Sequence, residues 1–202
     1  MSCGDTGEVR RPPRLVVLLL TACLAVVAGC TTGTDAVDQT AGGEFRFVAG
    51  TGKGEVIPEG ERKSAPEVRG QLLDGADWQL ASQRGKVVVL NFWGSWCPPC
   101  RVETPDFDEV YQAVKGEGVE FVGVAVKDRK EAAAAFLTDK KISYPSLFDP
   151  AGKVTLRFRD LRTNGFPYTI VIDKQGRVAA VYVGAVLPKD LTAALDELTE
   201  EV

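Results

Sequence analysis

Val87-Val88-Val89-Leu90-Asn91-Phe92-Trp93 is an almost unbroken apolar run. A strand with one face in water alternates apolar and polar residues, so a run without alternation predicts a strand covered on both faces. The run leads through Trp96-Cys97-Pro98-Pro99-Cys100 into Phe107, Val110, Tyr111 and Val114, spaced i, i+3, i+4 and i+7. That spacing is the stripe of an amphipathic helix, and Gly116 and Gly118 stop it.

Regular punctuation continues on either side. Val68 to Leu73, the turn at Asp74-Gly75, and Trp78 to Leu80 predict a small hairpin. Val119 to Val126 predicts a second buried strand, and Ala132 to Leu137 a short helix. Tyr168 to Asp173, the turn Lys174-Gln175-Gly176, and Arg177 to Val183 predict another hairpin. Leu191, Ala194, Leu195 and Leu198 supply a closing helix with Pro188 near its first turn. Strand, helix, parallel strand, hairpin and helix implies an α/β fold with a mixed central sheet and helices on both faces, the thioredoxin order.

The chemistry open to the chain is narrow. Its 202 residues include no His, which removes Ser-His-Asp and Cys-His catalysis and every His-ligated metal site. The 24 Lys and Arg against 28 Asp and Glu give a net charge of −4, so no basic field exists to hold nucleic acid. No metal or cofactor is expected. Gly50-Thr51-Gly52-Lys53-Gly54 is not a phosphate loop, because it lacks the Ser or Thr after Lys and a preceding buried strand.

Leu15 to Gly29 is apolar and follows Arg10, Arg11 and Arg14, the pattern of a secretory signal. It is shorter than the roughly 20 residues a membrane-spanning helix needs. Pro12-Pro13 follow Arg10-Arg11 where a twin-arginine signal has apolar residues. The stretch ends in Val27-Ala28-Gly29-Cys30, which resembles the lipobox of bacterial lipoproteins and implies lipidation of Cys30 and anchoring to the membrane. An uncleaved N-terminal anchor shares the same apolar run and stays open; either reading puts the remainder outside the cytoplasm. Residues 1–29 are thus expected to be a signal peptide, 30–60 a glycine-rich tether, and 61–202 the folded domain. Phe45, Phe47 and Val48 alternate briefly within the tether, as an added edge strand would. Loss of residues 1–29 leaves 21 basic and 26 acidic residues. With Cys3 and Cys23 removed and Cys30 taken by lipid, only Cys97 and Cys100 remain as thiols.

Those two cysteines lie where the strand gives way to the helix. Unsatisfied N–H groups and the helix dipole there favour a negative charge on the first sulfur, which lowers a thiol pKa well below its free value. Cys97 is therefore the expected nucleophile, and Cys100, one turn further in, the residue that resolves a mixed disulfide. Pro98 and Pro99 are tolerated because first-turn N–H groups have no intrahelical partner to lose. A zinc site would need four ligands, and the chain has no second Cys pair. An inert disulfide here would close a loop of only a few residues and constrain almost nothing. A peroxidatic Cys normally follows Pro-x-x-x-Thr-x-x, which Gly94-Ser95-Trp96 does not supply.

Gly85 to Pro105, GKVVVLNFWGSWCPPCRVETP, resembles the active-site segment of the TlpA/ResA/DsbE group of thioredoxin-fold proteins, and the likeness extends over roughly residues 65–200. It implies a membrane-tethered extracytoplasmic thiol-disulfide oxidoreductase, a reductant serving cytochrome c maturation. Its partners would be protein thiols and disulfides, such as the heme-binding Cys-x-x-Cys-His of apocytochrome c, and a membrane thiol-electron donor. By the same resemblance Pro167 matches a cis-proline facing the sulfurs, which leaves the Phe166 backbone free to pair with a substrate strand; Trp96 and Phe166 join it on the substrate-binding surface. Glu103 matches a buried acid that tunes the cysteines and exchanges a proton with Cys100. Asn91 departs from thioredoxin, which has an ionisable Asp there. Lys140 to Asn164 resembles the family's central insert: Ile142, Tyr144-Pro145, Leu147-Phe148 and a short helix around Val154 to Phe158 are expected to pack on the sheet. Arg157, Arg159 and Arg162 read as a solvated face. Two other functions stay open on the sequence: an oxidase donating disulfides to secreted proteins, and a non-catalytic substrate-binding lipoprotein.

Overall fold

The computed structural model describes residues 56–161 and 165–201. Cys30, the segment read as signal, residues 31–55 of the segment read as tether, the Phe45-Phe47-Val48 patch within it and Arg162 lie outside them.

An antiparallel hairpin opens the domain, β1 (Arg69–Gln71) against β2 (Asp77–Gln79). Its turn is held by the Asp74 carboxylate, which accepts the Ala76 N–H at 2.9 Å, and Gly75 takes a φ of 96° that a side chain would disfavour. The main sheet follows: β3 (Val87–Trp93), α1 (Pro98–Val114), β4 (Val119–Val126), α2 (Lys130–Asp139), β5 (Ser146–Asp149), α3 (Lys153–Arg157), β6 (Tyr168–Ile172), β7 (Val178–Val183) and α4 (Pro188–Glu200). The strand order is β5-β4-β3-β6-β7. β4 is parallel to β3 and β5, while β6 is antiparallel to β3 and β7.

All seven residues of β3 are buried, and its pleat sorts them between two layers. Val87 and Val89 pack with Phe107, Val110 and Val114 of α1 and with Leu191, Leu195 and Leu198 of α4. Trp93 continues that face beneath Ala133 and Phe136 of α2. Val88, Leu90 and Phe92 face the other way, toward Trp78 of the hairpin and Val154 and Phe158 around α3.

The central insert differs from its sequence reading. Ser146–Asp149 does not simply pack on the sheet but joins it as the edge strand β5, with Gly123 opposite Ser146 and Val126 opposite Asp149. Four residues are too short for a period to register. Asp149 then ends the strand and starts α3, its carboxylate accepting the Lys153 and Val154 N–H groups at 2.7 and 2.8 Å.

Packing starts ahead of residue 61. Ile57 is buried and its N–H bonds the Ala179 carbonyl at 2.7 Å, and Ala65 bonds Gly176 at 3.0 Å. The register places these contacts at the start of β7, whereas Val183 at its end pairs with Tyr168, itself opposite Phe92. The described chain therefore joins the sheet at the end away from the C-terminus of β3. Among the described residues no helix is long and apolar enough to cross a membrane.

Candidate active site

At the C-terminal end of β3 the chain must leave the sheet and enter α1 within four residues, and each of the four is tied down. The Ser95 N–H and hydroxyl both donate to the Asp128 carboxylate, at 2.6 and 2.9 Å. The Trp96 indole N–H donates to the Val126 carbonyl at 3.0 Å, so the ring lies across Gly94 where any Cβ would collide with it. The Cys97 N–H closes a turn onto the Gly94 carbonyl at 3.0 Å. Arg101 reaches back to the Ser95 carbonyl at 3.1 Å while its guanidinium sits 4.9 Å from the Phe136 ring centre.

Cys97 is the N-cap of α1, and its sulfur accepts the Cys100 N–H at 3.3 Å. Pro98 and Pro99 fill the first two helical positions and carry no N–H. Cys100 thus supplies the first amide of the helix, aimed at the Cys97 sulfur. The two cysteines are joined as a disulfide with Cα atoms 5.3 Å apart. Both are buried, but Trp96 beside them is 49% exposed and Val102 and Leu187 are more so. The Phe166-Pro167 peptide is cis. Phe166 packs on the cluster of Trp93, Cys97 and Cys100 and meets the Trp96 ring edge-on at 5.6 Å, and the Pro167 carbonyl accepts the Gly184 N–H at 3.0 Å.

Glu103 lies one turn beyond Cys100 and is 3% exposed. Its Oε1 accepts the Val186 backbone N–H at 2.8 Å and its Oε2 the Asn91 amide at 2.9 Å. The same Asn91 nitrogen donates to the Thr169 hydroxyl at 3.2 Å. Burial pushes the Glu103 carboxyl up to about 7 and outweighs the two hydrogen bonds that favour its anion; Asp106 adds to the rise. Glu103 also borders a groove of about 290 Å³ between the start of α1 and the β7–α4 loop, with Pro99, Val102, Asp106 and Leu187 around it.

Trp96, Cys97, Cys100, Glu103, Phe166 and Pro167 thus come to one end of the sheet, drawn from α1, its preceding loop and the approach to β6. Cys30 lies outside the described residues. Asp128 and Thr169 carry side-chain contacts that the sequence reading did not single out. Their signal is topological: Asp128 lies two residues past β4, where the ends of adjacent parallel strands converge, and Thr169 stands opposite Asn91 in the antiparallel β3–β6 pair.

Residues 62–181 match the AhpC/TSA family. The chain belongs to that family. Two curated members align with it closely. The thiol-disulfide oxidoreductase ResA of Geobacillus kaustophilus is 32% identical over 135 residues, 67% of this chain and 76% of that protein. The thiol:disulfide interchange protein HelX of Rhodobacter capsulatus is 37% identical over 139 residues, covering 67% and 75%. Among solved structures, a secreted thiol-disulfide isomerase from Corynebacterium glutamicum superposes with a TM-score of 0.71 at 32% identity, over 79% of this chain and all of that one. This AhpC/TSA member is a thiol-disulfide oxidoreductase of the ResA/HelX/DsbE type, with a thioredoxin fold and the Cys97–Cys100 pair of a Cys-x-x-Cys site.

Proposed function

We propose that the protein reduces disulfides of protein substrates outside the cytoplasm, in cytochrome c maturation, while anchored to the membrane by lipid on Cys30. The observation that carries the reading is the start of α1, where the Cys100 N–H is directed at the Cys97 sulfur and a buried acid stands one turn behind. In the reduced enzyme Cys97 attacks as the thiolate, the form the amide favours. A bond forms from Cys97 Sγ to one substrate sulfur, and the other leaves as a thiolate and takes a proton. Cys100 then gives its proton to Glu103 and attacks Cys97 Sγ, releasing the second substrate thiol. Two electrons pass to the substrate and the Cys97–Cys100 disulfide remains. A membrane thiol-electron donor then reduces that disulfide back to the dithiol.

Substrate docks on Trp96 and alongside the Phe166-Pro167 segment, pairing as an added strand. The half-exposed indole and exposed Val102 and Leu187 suit an apolar stretch of polypeptide better than a small thiol. An apocytochrome segment carrying Cys-x-x-Cys-His has the required disulfide. One feature supports the anchored, extracytoplasmic setting: the lipobox-like Val27-Ala28-Gly29-Cys30 that ends the apolar run Leu15 to Gly29. The signal, tether and domain boundaries belong to the same proposal.

The reduction potential tests the direction. A reductant lies in the thioredoxin range of about −200 to −270 mV or below, and a value near about −120 mV overturns the reading in favour of an oxidase. Reduction of an oxidised Cys-x-x-Cys-His peptide by the reduced protein is expected beside it. Mass spectrometry of the membrane fraction tests the anchor, where an unmodified Cys30 on an uncleaved chain removes it.

A further inference from the structure

The two oxygens of Glu103 have unlike partners. Oε1 accepts from the Val186 backbone N–H, which can only donate and cannot move away, so a proton on Oε1 would compete with it. Oε2 faces the side-chain amide of Asn91. An amide end presents a two-hydrogen donor in one orientation and an acceptor in the other, related by a half-turn about its last bond. The neighbour that shares this amide is the Thr169 hydroxyl, a rotor that accepts or donates as required. On its far side, Asn91 Oδ1 is buried and has no hydrogen-bond partner. Nothing there holds the amide in one orientation.

We propose that Asn91 and Thr169 are positioning residues that follow the protonation of Glu103, the amide turning so that the mobile proton is carried on Oε2. This rests on the proton-transfer role given to Glu103 above and assigns the atom and the partners that perform it. With Glu103 ionised, the Asn91 NH₂ donates to Oε2 and to Thr169, the arrangement present in this disulfide form. With Glu103 protonated, Oε2–H needs an acceptor. The amide turns to offer Oδ1, and the Thr169 hydroxyl turns to donate to it. Both protonation states keep their hydrogen bonds, and the far end of the amide is unpartnered in either.

The remaining groups around Glu103 do not replace this pair. Asp106, on the same helix, accepts only and raises the carboxyl. Tyr144, from the segment ahead of β5, has its phenol pushed far up by burial and stays protonated. The Thr104 hydroxyl is committed to the Cys100 carbonyl at 2.7 Å. An Asp in place of Asn91 would offer acceptors only and would compete with Glu103 for the proton. The groove beside Pro99 and Val102 gives the released proton a short way to water.

The test is a pH titration of the full chain, oxidised and labelled with ¹³C and ¹⁵N, following three signals together: the Glu103 carboxyl carbon, the Asn91 side-chain NH₂ and its cross-peak to the Thr169 side chain. The cross-peak is expected above the Glu103 midpoint and lost below it, on the same curve as the carboxyl carbon. Glu103→Gln keeps a carbonyl for Val186 but turns a fixed NH₂ on Asn91, imitating the protonated acid, so the cross-peak is expected to be missing at every pH. Persistence of the cross-peak below the wild-type midpoint, or in Glu103→Gln, overturns the inference. If the carboxyl carbon itself does not titrate near neutrality, the proton role of Glu103 falls as well; a titrating Glu103 beside an unmoving Asn91 overturns this inference alone.

Discussion

Asp128 grips Ser95 through both of its hydrogens, the backbone N–H at 2.6 Å and the hydroxyl at 2.9 Å. Its Oδ1 also accepts the Arg129 N–H at 2.8 Å. The carboxylate thereby fixes the loop that delivers Trp96 and Cys97 to the start of α1, although it sits on a different strand's exit. Asp128→Asn cannot satisfy both ends: whichever way the amide turns, its NH₂ meets either the Ser95 or the Arg129 N–H. Asp128→Ala loses all three bonds. The expected costs are about 1 kcal/mol for Asn and about 2–3 kcal/mol for Ala in denaturant unfolding. Insulin reduction should fall on the order of tenfold in the Ala variant as the nucleophile loses its fixed position. Equal activity and stability across the three proteins would show that the loop is held by Trp96 and Arg101 alone.

The asymmetry at the helix start predicts how the cysteines divide their work. The Cys97 sulfur receives the Cys100 N–H, so in the reduced protein Cys97 should alkylate first and at lower pH. Cys100→Ser should accumulate mixed disulfides with substrate, and Cys97→Ser should accumulate none. Mass spectrometry of trapped adducts reads the outcome directly, and adducts found on Cys100 would reverse the assignment.

The buried run at β3, the stripe of α1 and the Cys-Pro-Pro-Cys junction are legible in the sequence because period and position coincide there. β4 runs over Val119–Val126 and all four apolar residues read for the closing helix are buried in α4. β5 was hidden because four residues carry no period, and because its place is set by the Trp93 indole N–H bonding Ser146 at 2.9 Å past Gly123, where a Cβ would clash. Asp128 and Thr169 were hidden for a different reason. Their partners lie on other strands, and only the order β4-β3-β6 brings all of them to one end. Arg62 was equally silent: a lone Arg before the first hairpin gives no hint that it will be buried.

That arginine makes a prediction about stability without chemistry. Its guanidinium bonds Asp173 at 3.3 Å, Glu201 at 2.5 and 2.7 Å, and the Ile57 carbonyl at 2.7 Å. It joins the first described residues, the β6–β7 turn and the end of α4, away from the cysteines. Asp173 also holds Arg177 at 2.7 Å, so Asp173→Ala removes an anion shared by two cations, leaving Arg62 to Glu201 and Arg177 to Glu59. It is expected to cost about 2–3 kcal/mol, the loss of several charge-assisted hydrogen bonds with neither cation left unpaired. The reduction potential should not move, because the pair lies at the other end of the sheet. A shifted potential in a folded Asp173→Ala protein would mean that the two ends are coupled.

Glu103 should leave a signature in stability as well as in thiol chemistry. Its carboxyl moves from an ordinary 4.5 to about 7 on folding, chiefly because burial penalises the anion. Between those values the native protein keeps a proton that the unfolded chain has lost, so native stability falls as pH rises through this window. The full difference corresponds to about 3 kcal/mol. Glu103→Gln removes the ionisation, so its stability relative to the wild type should grow with pH from about 4.5 to 7 and level off above. Comparing the two proteins in urea at matched pH cancels the other carboxylates. The same variant should displace the titration midpoints of Cys97 and Cys100 in the reduced protein, as macroscopic values of a coupled set rather than as the loss of one pKa. A stability difference flat in pH, together with unmoved thiol curves, would leave Glu103 as a structural acid with no part in proton transfer.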